Sequence, residues 1–393
     1  MLKLIYDTVD AGAPSQYGNA IDVFRDENGN MLQNFPKTQA GFAPAEPALA
    51  AAIDTWLAAR GDRAEPVVVM VHGYLYDPSK NNGMDPDSPF QLTYGYPSPT
   101  LDAHLTWLPI VGECDQNGQN RAENAVAFAY RSEADIAATA RAGWNNSYQY
   151  AVFDLSPLAA RALASVLVYL GSKPITLRVL AHSLGTRTFS QALRLIRARM
   201  PPNLDRVVLL DGAEFCVDAA ANFAACPFDV FNVSSRMDTV LRLGATQLCH
   251  PMRQNGSLSA CVIGFDGLGG GNDRWLDMQF DSQALVDWYA AANAPDGIPY
   301  SIDAAAEEGS HPSAGMDHWA CYTNDGNRAL LRDLLASDVM TGAQFKAHGI
   351  PLGNSSPAFG RFDGVAVPTL PQSTVERQRL IAQALAQSSG AVG

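Results

Sequence analysis

Through the middle of the chain, short apolar runs alternate with stretches whose apolar residues recur every three or four positions. Val67 to Val71, Asn124 to Tyr130, Ile175 to Leu180, Asp205 to Asp211 and Asp229 to Val233 are short runs with few polar interruptions. Such runs read as strands buried on both faces. Arg274 to Phe280 alternates well enough to be a late strand. Between them lie helical patterns. Pro47 to Arg60 has proline in its first turn and Ala50, Ile53, Trp56 and Leu57 on one side. Asp154 to Leu170 places Leu163, Val166, Leu167 and Leu170 together and closes at Gly171. Phe189, Ala192, Leu193 and Ile196 share a face, Ser132 to Ala142 is a shorter helical candidate, and Ser282 to Ala291 and Asn327 to Leu335 follow. Strands alternating with helices predict an α/β fold, a mostly parallel central sheet flanked by helices on both faces.

The two ends differ from the middle. Leu2 to Val9, Ile21 to Arg25 and Met31 to Phe35 read as strands, with Asn28-Gly29 as a hairpin turn, so a small antiparallel extension is expected at the start. Val365 to Pro371 reads as a linker and Ser373 to Gln387 as a helix with Ser373 and Glu376 as a capping box. The expected organisation is one domain over 1–363 and a linker with a terminal helix over 364–393. Residues 77–121 are long for a connection. Tyr74, Tyr76, Phe90, Tyr94, Tyr96 and Trp107 lie along or just before that stretch, which reads either as a loop packed on the sheet edge or as a lid or pocket wall.

Composition narrows the function classes. The chain has 393 residues, 47% of them hydrophobic, enough for a substantial core. Its net charge of −13 argues against a nucleic-acid footprint. No apolar run reaches the roughly 20 residues of a membrane span. The opening MLKLIYDTVDAG has one lysine and no long apolar core, so a cytoplasmic protein is expected. The six cysteines form no C-x-x-C pair, which speaks against zinc. Reduced thiols are the default, with Cys216–Cys226 and Cys249–Cys261 as the pairs that would close short loops. Asp266 to Asp273 (DGLGGGND) holds a single glycine-rich turn and reads as a glycine loop, since repeats that bind calcium do so between stacked copies.

The densest chemistry lies in Ile175 to Gly185, ITLRVLAHSLG, where a strand runs into a serine between small residues and on into a helix. The A-H-S-L-G segment resembles the nucleophile elbow of the alpha/beta hydrolases, G-x-S-x-G, with Ala181 at the first glycine. A plain structural role for Ser183 would be a helix cap. His72-Gly73, closing the strand PVVVMV, resembles the oxyanion loop of the same family. The resemblance implies backbone N–H donors at Tyr74 and Leu184 and leaves His72 a structural histidine holding the loop. In that family the triad runs serine, acid, histidine in chain order. Asp238, after the strand DVFNV, stands at the acid's place; Asp211 and Glu214 are alternatives, and an N-cap is its structural alternative. Of His250, His311, His318 and His348, the resemblance favours His318, before the closing helix, with His311 next. The strand WLDMQF, a helix and then HW also look like a group of uncharacterised bacterial alpha/beta hydrolases.

The resemblance covers roughly Val67 to Leu335. It implies an alpha/beta hydrolase fold and a serine hydrolase that cleaves carboxylic esters through Ser183, Asp238 and His318 and an acyl-enzyme. No cofactor and no metal would be needed. Tyr76, His182 and Trp319 are candidate walls of the substrate pocket, which would take a small-molecule or polymer ester. An amidase, peptidase or acyltransferase would use the same triad, and a non-catalytic binding or scaffold protein would keep the fold with an unreactive Ser183.

Overall fold

A computed structural model describes residues 1–7, 21–36, 41–78, 88–89, 93–94, 106–112, 123–133, 139, 146–238, 240–241, 262–268, 274–304 and 317–352. Its centre is a nine-stranded sheet of β1 (Leu2–Asp7), β2 (Ile21–Asp26), β3 (Met31–Pro36), β4 (Val67–Val71), β5 (Ala125–Tyr130), β6 (Leu177–His182), β7 (Leu204–Leu210), β8 (Asp229–Ser234) and β9 (Trp275–Gln279). The spatial order is β3-β2-β1-β5-β4-β6-β7-β8-β9. Every neighbouring pair from β1 through β9 is parallel, and only β2 runs against its neighbours. The fold is therefore α/β with a mixed, mostly parallel sheet. The antiparallel extension is the β1-β2-β3 meander, and β1 joins the parallel body through β5.

The unbroken apolar strands are buried on both faces. One side of the sheet, through Val67, Val69, Val71, Phe128, Val179 and Val207, packs on α1 (Pro47–Arg60), α2 (Ser147–Gly171), α3 (Leu184–Ile196) and α4 (Cys216–Phe223). The other, through Val68, Met70, Leu180, Val208, Phe231 and Met278, packs on α5 (Gln283–Ala290), α6 (Asp325–Ala336) and α7 (Gly342–Ala347). Leu49 and Ile53 are the fully buried residues of α1, while Ala50, Trp56 and Leu57 are half-buried.

Helix α2 begins seven residues before the expected Asp154. The Asn146 side chain accepts the Gln149 N–H at 2.9 Å and starts the helix, which then passes through a π turn at Ala151–Leu155. At 25 residues it is long and apolar enough to cross a membrane, yet 78% of its apolar window is buried inside the fold, as befits a core helix. Its Arg161 reaches across to Asp22 at 3.0 Å, where the Tyr6 hydroxyl also donates, tying the helix to the N-terminal meander.

Two arginines interrupt the buried strands for a reason. Arg178 and Arg206 sit side by side on β6 and β7 and point to the end of α6. Arg178 donates to Leu335 O at 2.7 Å; Arg206 donates to Leu334 O and to Ser337 O. They satisfy the carbonyls that a helix C-terminus leaves open. Burying these charges is tolerable because Arg178 is bonded several times over, to Leu335 O, Asp205 and Asp338, and Arg206 donates to two carbonyls.

Cys216 and Cys226 do not pair, in line with the default of reduced thiols and against the alternative pairing. Both are free, buried thiols, their Sγ atoms donating to Gly267 O and Asn222 O. Cys216 opens α4 and Cys226 follows its last residue, Phe223, so the helix, about 10 Å of rise, separates them. Cys249, Cys261, most of 77–121, most of Ser132 to Ala142 and all of 353–393 lie outside the described residues.

Candidate active site

The strand order places an opening between β4 and β6. From β4 the chain moves to β5 on one side, and from β6 to β7 on the other. Loops leaving in opposite directions open a crevice beyond the carboxyl ends of such strands. The β4 loop carries His72 to Leu75, and the β6 turn carries Ser183.

Ser183 links β6 to α3 with φ 52° and ψ −125°, a conformation that L residues rarely adopt. Three backbone bonds hold it there. Its N–H donates to Leu210 O at 2.9 Å, and its carbonyl accepts from Thr186 N at 3.1 Å and Ala213 N at 2.9 Å. The turn brings the start of α3 hard against β4: a Cβ on Gly185 would lie 2.2 Å from Val71 O and 2.4 Å from His72 O. Only glycine fits at that position. Ala181, by contrast, points into the core beside α3 and has room for its methyl group.

The β4 loop is built around His72. The ring is fully buried, stacks on Tyr130 at 4.5 Å and touches Tyr76 and Tyr94. Its Nε2 accepts the Tyr130 N–H at 3.0 Å, so the neutral ring carries its proton on Nδ1, 2.9 Å from Gly73 O. Burial pushes its pKa down to about 3. The Tyr94 hydroxyl accepts the His72 N–H at 2.8 Å and faces Met70 O and Phe128 O. His72 is thus a structural residue, as expected. No acceptor among the described residues reaches the backbone N–H of Tyr74 or Leu184. Leu184 is moreover the first residue of α3, where the helix dipole favours negative charge.

His318 lies in the short 3-10 turn Asp317–Trp319 and is buried. Its Nδ1 is 2.6 Å from Asp238 Oδ2. The other carboxylate oxygen, Oδ1, accepts the Leu241 N–H at 2.8 Å, so Asp238 both caps a turn and faces the imidazole. With Nδ1–H donated to Asp238, the neutral ring's lone pair is on Nε2. The ring abuts the elbow: its centroid is 4.6 Å from that of His182, the residue before Ser183, and His182 Nε2 is 3.2 Å from His318 O.

The alternatives weighed on the sequence separate clearly. Glu214 turns into a buried ion pair with Arg187, whose guanidinium lies over Phe153 and Phe215 and also reaches Asp218. Burial pushes the Glu214 carboxyl up to about 7 despite that partner. Asp211 does come close: one ligand atom each from Asp211, His182 and His318 lie within 4.8 Å of one another, and all three residues are buried. His348 is exposed and sits on Asn293 O. His250 and His311 lie outside the described residues.

Of the candidate pocket walls, Trp319 is half-buried with its ring 5.4 Å from His318. Tyr76 is buried under the loop, its hydroxyl accepting from Thr93 Oγ1 at 2.9 Å, so it supports the site rather than lining it. His182 lies beneath His318, its ring 5.1 Å from Tyr322 and 6.2 Å from Trp107. Two exposed residues next to site candidates in the chain escaped the sequence reading. Leu75, 56% exposed at φ 73°, follows Tyr74, and Met237, 46% exposed, precedes Asp238. A hydrophobic residue beside each motif was their only sequence signal. No protein-family model and no curated protein matches this chain.

Proposed function

We propose that the chain is an alpha/beta hydrolase in fold and a serine hydrolase in chemistry, cleaving carboxylic esters through Ser183, His318 and Asp238. The observation that carries this reading is the 2.6 Å His318–Asp238 contact, buried against His182, which precedes a serine with a positive φ at the end of a central strand. Strained backbone at a cleft residue is the kind of departure from local preference that functional sites sustain.

In this reading His318 Nε2 takes the Ser183 hydroxyl proton as Oγ attacks the ester carbonyl, and the new C–O bond places negative charge on the carbonyl oxygen. The Tyr74 and Leu184 N–H groups stabilise that charge, each such donor typically contributing about 3 kcal/mol. His318 returns the proton to the departing alkoxide, leaving an acyl-enzyme. Water, deprotonated by the same imidazole, then attacks the acyl carbon; the bond to Ser183 Oγ breaks, the serine takes the proton back from His318, and the acid is released. Asp238 fixes the ring's tautomer and stabilises its protonated form without itself taking the proton. The exposed Leu75 and Met237 and the half-buried Trp319 favour an ester with an apolar portion.

The test is a fluorophosphonate probe followed by mass spectrometry, with turnover of aliphatic and aryl nitrophenyl esters. The adduct is expected on Ser183, with turnover lost in Ser183→Ala and His318→Ala. A folded protein that neither labels nor turns over any of these esters would refute the proposal in favour of a non-catalytic scaffold.

A further inference from the structure

We propose that His182, Asp211 and His318 form a binding site for a divalent d-block cation, Zn2+ foremost, whose occupation inhibits the enzyme by capturing His318. The inhibitory part rests on the serine-hydrolase reading; the site itself does not. Its basis is geometric. The three residues come from three separate elements, the end of β6, the end of β7 and the turn before α6, yet one ligand atom of each lies within 4.8 Å of the others. Ligand atoms around a tetrahedral zinc, at about 2.0–2.2 Å from the metal, stand roughly 3.4 Å apart. Side-chain adjustments of about 1 Å close the gap.

The donor set suits this class of ion. Two imidazoles and one carboxylate match zinc, copper or nickel better than the oxygen-loving calcium or magnesium. Three protein ligands leave a fourth position, as catalytic and inhibitory metal sites do. The positions are also held in advance. His182 Nε2 faces His318 O at 3.2 Å, and His318 is pinned to Asp238. The Asp211 N–H donates to Val233 O at 3.1 Å, and Gly264, crossing directly above, donates to Gly212 O at 2.9 Å.

Coordination at either nitrogen of His318 blocks the proposed catalysis. Through Nε2 it occupies the lone pair that would accept the Ser183 proton. Through Nδ1 it displaces the hydrogen bond to Asp238.

The experiment uses the full chain without a histidine tag, stripped with EDTA. Zn2+ binding is followed by isothermal titration calorimetry, Co2+ binding by its visible absorption, and Ser183 by fluorophosphonate labelling. One zinc per chain is expected, with labelling suppressed in proportion to occupancy and restored by EDTA. Asp211→Asn keeps the shape and tolerates the positive φ at that position. It should weaken zinc binding at least tenfold, and His182→Gln should do likewise. No heat and no cobalt band, or affinity unchanged in both variants, overturns the site. Binding that raises turnover overturns its inhibitory role. If Ser183 fails to label even in EDTA, the hydrolase reading falls, while calorimetry on the same protein still decides the metal site.

Discussion

Gly185→Ala sets a local preference against a long-range contact, and the two have opposite signs. Alanine in the first turn of α3 should by itself stabilise the helix by about 1 kcal/mol over glycine. In the folded chain its methyl carbon would stand 2.2 Å from Val71 O and 2.4 Å from His72 O. Restoring ordinary contact requires about 1 Å of movement. Both obstacles are main-chain carbonyls at the end of β4, and Val71 is paired with Phe128 on one side and Ala181 on the other. The strand cannot yield, so α3 must. Overpacking of this kind costs about 1–3 kcal/mol, more than the helix gains. The same movement carries Leu184 N–H and Ser183 away from the β4 loop, and a 1 Å misplacement at a reacting centre costs about 100-fold in rate. Thermal melting and ester turnover should therefore both fall, turnover far more steeply. A Gly185→Ala protein that melts higher than the parent and keeps its turnover would refute the crossing of α3 over β4.

Asp238→Asn preserves size but offers His318 the wrong hydrogen-bonding partner, so turnover should fall about 10⁴-fold with little change in melting. Equal loss in Glu214→Gln would show that the acid has been misplaced. Tyr94→Phe removes the hydroxyl that the His72 N–H, Met70 O and Phe128 O share, and should cost about 1–3 kcal/mol in denaturant unfolding. The pH dependence of stability carries a signature of His72. Between about pH 3 and its ordinary 6.5, the unfolded chain takes up a proton there that the folded chain refuses, so this group makes stability rise with pH, by at most about 1.4 kcal/mol per unit. Glu214, raised from 4.5 to about 7, holds its proton longer in the folded state and acts in the opposite direction over that range. Urea midpoints from pH 4.5 to 7.5 should accordingly give a flatter or falling profile for His72→Gln than for the parent. Identical slopes would mean that His72 is not buried as a neutral ring.

What the sequence made legible follows from the range over which each feature is encoded. Strands β4 to β8 could be read because burial on both faces leaves few polar interruptions, and β9 from its alternation; their limits were found to within a few residues. The reason for Arg178 within such a run was not legible, because its partners, the carbonyls ending α6, lie some 157 residues away in sequence. The start of α2 was missed because a π turn shifts the helical period between Tyr150 and Ser156. The elbow was legible for a different reason. Its constraint falls on adjacent residues, a small one at 185 to clear β4 and a serine at 183, and a motif is what adjacent constraints leave behind. Asp211 carries a constraint just as severe, a positive φ under Gly264, but its neighbours His182 and His318 are brought by other elements, and nothing in the residues around it announces them.

The strain at Ser183 depends on that same long-range assembly. A serine at φ 52° persists only if its surroundings over-determine it. Here the N–H is held by Leu210 at the end of β7, and the carbonyl by Thr186 within α3 and by Ala213 in the loop after β7. Two of the three restraints therefore come from the neighbouring strand and its loop, not from the elbow. That loop is itself fixed from above, since Ile263 N donates to Glu214 O at 3.0 Å and Gly264 N to Gly212 O at 2.9 Å. The five-residue motif accordingly specifies where the strained serine is placed, while the packing of 211–215 beneath 262–264 specifies that it stays there. A bulky residue at Gly264, whose Cβ would meet Gly212 N at 2.2 Å, should thus relax the backbone of Ser183 without touching the serine. Gly264→Val should lose fluorophosphonate labelling while the sheet, monitored by far-ultraviolet circular dichroism, survives. Labelling at the parental rate would show that the elbow holds its strain unaided.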